Sequence, residues 1–343
     1  MKKILILSTG ILAFSIGAMA QDKAPWSTTS LAGKNISKVD AETTGGNITV
    51  SGSGTGESRI EVYIWGNNGR DDLSKDEIQK RLNESYDLKV SVEGNTIVAK
   101  AKQKERNMNW KRSLSISFKV YVGKNTATHL RTSGGNINLD NLNGSQDFST
   151  SGGNLNLENL DGKITGRTSG GNVNVSHAKN DIDLTTSGGN VTASDCTGKI
   201  HLETSGGGLK LENLSGDIDA STSGGNVRGN TIDGELSAHT SGGNVDLDNL
   251  SCSLETSTSG GNIDVDMKAL GKYVKIRNSG GSITLNLPDN KGLDLNLSAD
   301  RIKTTKLNNF SGTVEEDRID GKVNGGGVPI DVRGGSRISL TLK

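Results

Sequence analysis

Aromatic residues make up only 3% of this 343-residue chain. A core of stacked Phe and Trp is therefore excluded, and any core must be thin and built from Val, Ile and Leu. Proline occurs three times, and never between Thr132 and Ser282. Every backbone N–H in that stretch is available for ladder hydrogen bonds. The net charge is zero, which argues against nucleic acid or an anionic membrane surface as the main partner. After the first twenty residues no apolar run approaches the length of a membrane helix.

Cysteine is scarce too, with Cys196 and Cys252 alone. Both are expected as free, buried thiols. A disulfide needs Cα atoms within about 7 Å, and the repeat described next puts the pair three strand spacings, about 14 Å, apart.

What the chain does have is a period. Ser-Gly-Gly-Asn begins at Ser133, Ser151, Ser169, Ser187, Ser223, Ser241 and Ser259, on an eighteen-residue spacing. Ser205-Gly206-Gly207-Gly208 fills the gap in the series, and Ser279-Gly280-Gly281-Ser282 follows after twenty residues. A short fixed period means one structural unit stacked on copies of itself. Counting from the Thr before each Ser, position 6 is apolar throughout (Ile137, Leu155, Val173, Val191, Leu209). Position 8 is mostly apolar, and position 15 reads Ile164, Ile182, Ile200, Ile218, Leu236 and Leu254. Alternation of period two marks short strands with one buried face. Gly-Gly at positions 3 and 4 and Gly at position 13 mark corners, by positive φ or close backbone approach.

The fold is thus expected to be all-β, a single-stranded parallel β-helix (β-solenoid) with 18-residue coils, right-handed winding being favoured. Asn at position 5 would form a corner ladder of stacked amides. Alternating charges at position 14 (Lys163, Asp181, Lys199, Asp217) would become neighbours on successive coils.

Residues 1–20 read as a signal peptide, with Lys2 and Lys3, an apolar stretch, and the small-x-small site Ala18-Met19-Ala20. The mature chain would begin at Gln21 and be exported to the periplasm, the outer surface or the medium. Residues 21–131 are expected to form an N-terminal β-rich segment that starts and caps the solenoid. In it, Thr44-Gly45-Gly46-Asn47 is an isolated early copy of the repeat. Ser74-Lys75-Asp76-Glu77 has capping-box spacing, which predicts a helix over 74–85. Strands are expected near 58–65, 88–92, 96–101 and 114–122, with a solvated loop over 102–112. Residues 132–343 would carry the repeats, irregular after 282.

The Thr-Ser-Gly-Gly-Asn-Ile units, the strand-helix-strand preface and Ser115 to Val122 resemble a bacterial β-strand-repeat family of unknown function that goes under the name putative adhesin. That resemblance implies an exported envelope protein of parallel β-helix type, and it brings no catalytic residues with it.

Other eighteen-residue architectures fit poorly. Calcium β-rolls need Gly at position 6 and Asp at position 8, where this chain has Ile or Val and Leu or Val. Left-handed hexapeptide helices need an apolar residue where position 5 is Asn.

β-Helices also host polysaccharide-acting enzymes, which need paired carboxylates on an outer face. Position 16 offers the candidates Asp183, His201 and Asp219 on consecutive coils. The only candidate metal ligands are Asp246, Asp248, Asp264 and Asp266, an acidic patch on neighbouring coils. Both groups read first as solvated repeat surface, and no cofactor is expected. The functional expectation is a non-enzymatic adhesin or cell-envelope scaffold, whose partner would be a surface glycan or an envelope protein. The alternatives are a β-helix carbohydrate-active enzyme or an envelope sensing or regulatory partner.

Overall fold

Val173, Val191 and Leu209 stand directly above one another in parallel register, and all three are buried. This column belongs to a β-solenoid, seen here in a computed structural model that describes residues 24–53, 58–66, 73–105 and 110–343. The proposed leader, residues 1–20, and the start at Gln21 lie outside the described residues.

Each coil carries two strand segments, as in Val191–Ser194 followed by Thr197–Thr204. Strand residues pair with residues eighteen further on, for example Ile182 with Ile200 and Ile200 with Ile218. Positions 6, 8, 11, 15 and 17 fill the interior. Burying each large aliphatic there contributes about 1.5–3 kcal/mol. Cys196 and Cys252 occupy interior slots as free, buried thiols.

The corners differ in part from expectation. The glycines at position 13 do adopt positive φ, Gly162 at 124° for instance, with Asn180 at 80° in the same role. The second glycine of each Gly-Gly pair instead serves close approach. A Cβ on Gly171 would stand 1.9 Å from the Gly153 carbonyl oxygen, and the same holds coil after coil. A second left-handed corner lies at position 10, with Asn141, Asn159, His177, Asp195, Asn213, Thr231 and Asn249 all near +55°. Asn and Asp tolerate that region best. The charges at position 14 do stack in register, but they close no ion pair with one another.

The coil after Thr258 holds two extra residues. They are absorbed between Leu270 and Val274, after a smaller irregularity at Met267.

Both ends depart from simple sequential stacking. The coil formed by Lys38–Thr43 and Ile48–Gly52 is not isolated. It lies between a coil from Thr96–Gln103 and Leu114–Val122 on one side and one from Ala127–Thr132 and Ile137–Asn143 on the other. Antiparallel strands Arg59–Gly66 and Tyr86–Glu93 then cover the outer edge. The helix Lys75–Ser85 packs beside them, with Ser74 as N-cap accepting from the Glu77 N–H, and with Ile78 and Leu82 buried. Of the expected loop 102–112, Lys102 and Gln103 extend a strand, Trp110–Arg112 form a 3-10 turn, and 106–109 lie outside the described residues.

The C-terminal end repeats the device. Val328–Gly334 inserts between Val274–Asn278 and Leu293–Ser298. Arg337–Leu342 inserts between Ile283–Leu287 and Arg301–Thr304. The hairpin of Phe310–Val314 and Arg318–Val323 adds antiparallel edge strands beyond. Each end is therefore locked by a coil made from sequence-distant chain. Antiparallel strands then blunt the edge that an open solenoid would expose.

Candidate functional site

Three polar ladders run along the solenoid axis, and two of them are structural. At position 1 each Thr is buried. Thr204 donates to the Gly189 carbonyl of the preceding coil at 2.7 Å and accepts from the Gly207 N–H at 3.3 Å. Asn278 replaces Thr in the last regular coil and performs both tasks with its amide. The Asn row at position 5 works otherwise than as stacked amides. Each side-chain oxygen accepts from the backbone N–H of the next rung, as Asn136 does from Asn154 at 2.8 Å. That row is interrupted at Gly208, whose N–H donates to Asn190 Oδ1 but which has no side chain to accept from the next rung.

The true amide ladder lies at position 7, outside the coil. Asn138 Nδ2 donates to Thr49 Oγ1 at 3.2 Å, Asn156 to Asn138 Oδ1 at 2.8 Å, and Asn174 to Asn156 Oδ1 at 3.0 Å. Thr192 takes the next rung. With position 9 these residues form a shallow groove of about 430 Å³, in which Asp140 and Glu158 also sit. The ladder was hidden in plain composition: Asn repeats at position 7 in only three coils, so it reads as ordinary polar filler.

The same outer face continues into the N-terminal cap. Thr49 pairs with Lys119, and Lys119 with Glu61. The alternation Arg59, Glu61, Tyr63, Trp65 turns these four side chains outward. Glu61 is almost fully buried among them. It accepts from Arg59 at 2.6 Å and from the Tyr63 hydroxyl at 2.8 Å. Desolvation raises the Glu61 pKa, but the bonds from Arg59 and Tyr63 outweigh it and leave the carboxyl below its ordinary range. The Arg59 guanidinium stacks 3.9 Å from the Tyr121 ring centre, Lys119 lies 4.8 Å above Tyr63, and Tyr63 packs tilted on Trp65 at 6.2 Å. Such contacts hold rings in place.

Asp183, His201 and Asp219 are brought together, on three successive rungs of the other sheet. His201 Nδ1 lies 3.1 Å from Asp219 Oδ2, an exposed contact between rungs like that of His129 with Asp147, and Asp183 occupies the rung on the other side of His201. Of the acidic patch, Asp246 faces Arg228 at 3.6 Å and Asp266 faces Lys343 at 2.5 Å. Asp264 stacks on Asp246, and Asp248 continues the column from Asn230. Among the described residues no group of three or more His, Cys, Asp or Glu is arranged to hold a metal ion.

Residues 235–336 match the family model described as Toastrack DUF4097. The match spans less than half of the chain and includes most of the C-terminal interlock. No curated protein shows significant similarity to this sequence.

Among solved structures, the chain is similar to a putative adhesin from Bacteroides fragilis NCTC 9343, at 17% identity and a TM-score of 0.37, covering 75% of this chain and 94% of that one. It is also similar to a putative cell adhesion protein from Clostridium sporogenes ATCC 15579, at 12% identity and a TM-score of 0.20, with 92% and 97% covered. A putative lipid binding protein from Parabacteroides distasonis ATCC 8503 matches at 14% identity and a TM-score of 0.35, with 76% and 96% covered. Among the described residues no helix is long and apolar enough to cross a membrane.

Proposed function

We propose that this protein is an exported, non-enzymatic β-solenoid that serves as an adhesin or envelope scaffold, presenting its polar outer columns to a surface glycan or envelope protein. One observation carries the reading. Outward side chains are held in register over successive rungs, from Thr49 to Thr284, by strands fixed on both sides. A face of that kind offers many weak, equally spaced contacts at once, which suits multivalent attachment. The leader-like first twenty residues support export.

The test is binding of the purified chain to intact cells and envelope fractions. Saturable binding is expected. Failure to bind any of them would overturn the reading. Turnover of an acidic polysaccharide that Asp183→Asn abolishes would replace it with an enzyme.

A further inference from the structure

The strand Phe310–Val314 has a partner on one side alone. It pairs antiparallel with Arg318–Val323, which pairs in turn with Leu293–Ser298. Just beyond its two ends, the Asn324 N–H donates to the Asn309 carbonyl and the Glu315 N–H to the Arg318 carbonyl. Alternation along an antiparallel ladder then turns the backbone groups of Ser311 and Thr313 towards Arg318–Val323, and those of Phe310, Gly312 and Val314 away from it. Among the described residues, nothing in the chain bonds to these outward N–H and carbonyl groups. Such an edge is ordinarily guarded by charge, proline or a cover. This one reads Phe-Ser-Gly-Thr-Val, and Ser311 to Val314 are all exposed. The strand Tyr86–Glu93, which also pairs on one side only, carries Asp87, Lys89 and Glu93.

The side chains of Phe310, Gly312 and Val314 share one face. Val314 stands opposite Ile319 and Phe310 opposite Val323, and both of those partners are buried. The two apolar rows lead back to Leu297 and Leu293 in the solenoid core. Phe310 packs against that core. Val314 is 53% exposed, the one large hydrophobic residue left so among the described residues. The row through Ile319 thus ends in an uncovered side chain on an uncovered edge. Charge is divided between the strand's ends. Lys306 precedes it, and Glu315, Glu316 and Asp317 follow it. Glu316 is engaged by Arg301 and Arg318 by Asp320. Lys306, Glu315 and Asp317 close no ion pair among the described residues.

We infer that this edge docks a second copy of the chain, Phe310–Val314 pairing antiparallel with itself about a two-fold axis at Gly312. In that register Phe310 faces Val314 of the second copy, Gly312 faces its counterpart, and the outward groups exchange about six backbone hydrogen bonds. Each exposed Val314 gains a cross-strand aromatic neighbour. The rows Leu297–Ile319–Val314 and Leu293–Val323–Phe310 join end to end across the two chains. The acidic end of each strand lies alongside the start of the other, close to Lys306, whereas parallel pairing would set acid beside acid. A two-fold contact of this kind uses the same patch on both copies and closes on itself, which gives a dimer rather than a fibre. Five residues a side make an interface well below the roughly 800 Å² per partner of a standard stable complex, so the dimer is reversible, with a dissociation constant in the micromolar range or weaker. This goes beyond the adhesive reading and does not depend on what the outer columns bind.

The test is sedimentation equilibrium of the purified chain over a range of concentrations. Val314→Lys is compared with Thr28→Lys on the exposed strand Ser27–Ser30 at the other end, and circular dichroism confirms that each variant is folded. A monomer–dimer equilibrium is expected, weakened about tenfold or more by Val314→Lys and unchanged by Thr28→Lys. The register is tested by oxidation. Ser311 and Thr313 of the second copy would form a non-hydrogen-bonded pair with Cα atoms about 4.5 Å apart, within reach of a disulfide. A chain carrying both Ser311→Cys and Thr313→Cys should therefore cross-link into dimers, and one carrying Ser311→Cys alone should not, because its two copies stand about 7–8 Å apart. A chain that stays monomeric up to about 1 mM overturns the inference, as does a dimer that survives Val314→Lys or cross-links equally through Ser311→Cys alone. Hydrogen exchange identifies any other occupant. A monomer whose Gly312 and Val314 amides gain protection only when envelope fractions are added has its edge taken by a different protein, and self-pairing is then overturned as well.

Discussion

At the scale of single residues, the solenoid depends on small groups that let backbones touch. Gly171 meets the Gly153 carbonyl so closely that a methyl cannot enter without moving a rung. Gly171→Ala is expected to cost about 3 kcal/mol or more, read as a lower denaturation midpoint in urea. Gly208 is the opposite case. Its φ is ordinary, and the carbonyl of Asn226 lies 3.1 Å from a would-be Cβ, so the next rung need give only slightly. Gly208→Asn would restore the missing acceptor for the Asn226 N–H and remove a flexible residue, raising stability by about 1 kcal/mol. A lowered midpoint would contradict the side-chain-to-backbone reading of that row. Ile263→Asp, in a fully buried slot, should unfold neighbouring coils, whereas Asp264→Ala on the outside should leave the melting temperature nearly unchanged.

Burial pushes the Cys252 thiol up to about 12, from an ordinary value of 9.0. The folded state therefore holds this proton more tightly than the unfolded one. Its stabilising effect is complete below pH 9 and is lost as pH climbs towards 12. Tyr273, raised to about 12 by desolvation and by its bond to Glu235, acts in the same direction. Stability should fall above about pH 9, and less steeply in Cys252→Ala after its own loss of packing is subtracted. An unchanged alkaline slope in that variant would contradict the assignment.

At the scale of elements, the two inserted coils are the distinctive feature. Deleting residues 328–343 would strip the partners from Val274–Asn278, Ile283–Leu287 and Leu293–Ser298 together. Hydrogen exchange should then show lost protection from about Ile263 to Ser298, with the coils before Thr240 still protected. Protection retained throughout would contradict the interlock. These end arrangements were not legible in the sequence, and the reason is physical. A repeat announces which residues face inward, because each rung puts the same side chain in the same slot. It does not announce which rung lies next to which when partners are separated by a long insertion. Thus Thr44-Gly45-Gly46-Asn47 was recognisable as a copy, but its place beneath Ser133-Gly134-Gly135-Asn136 was not. The helix was readable to within one residue because Ser74 and Glu77 mark its start by local chemistry. The left-handed corner at position 10 was blurred by His177, Asp195 and Thr231, which interrupt its Asn signature.

At the scale of the whole molecule, the stack acts as a ruled rod whose outer columns keep a constant spacing. The proposed binding face inherits that spacing from the interior, since the same aliphatic columns that exclude water fix the distance between Asn138, Asn156 and Asn174. The candidate face was only partly visible beforehand. Tyr63 and Trp65 alternate plainly along their strand, but an antiparallel strand that turns back onto the first sheet cannot be assigned to that sheet by period alone. The His201 trio was visible, and the structure brings it together as expected of stacked rungs.

Electron–electron distance measurements on spin-label pairs test the stacking most directly, with Cys196 and Cys252 replaced by Ala and labels at Asn138 paired in turn with Lys210 and Asp264. These positions are outward and occupy one column. The mean distance should be about 19 Å for the first pair and about 34 Å for the second, growing by one strand spacing for every repeat. Distances that fail to scale with the number of repeats between the labels would contradict an in-register solenoid.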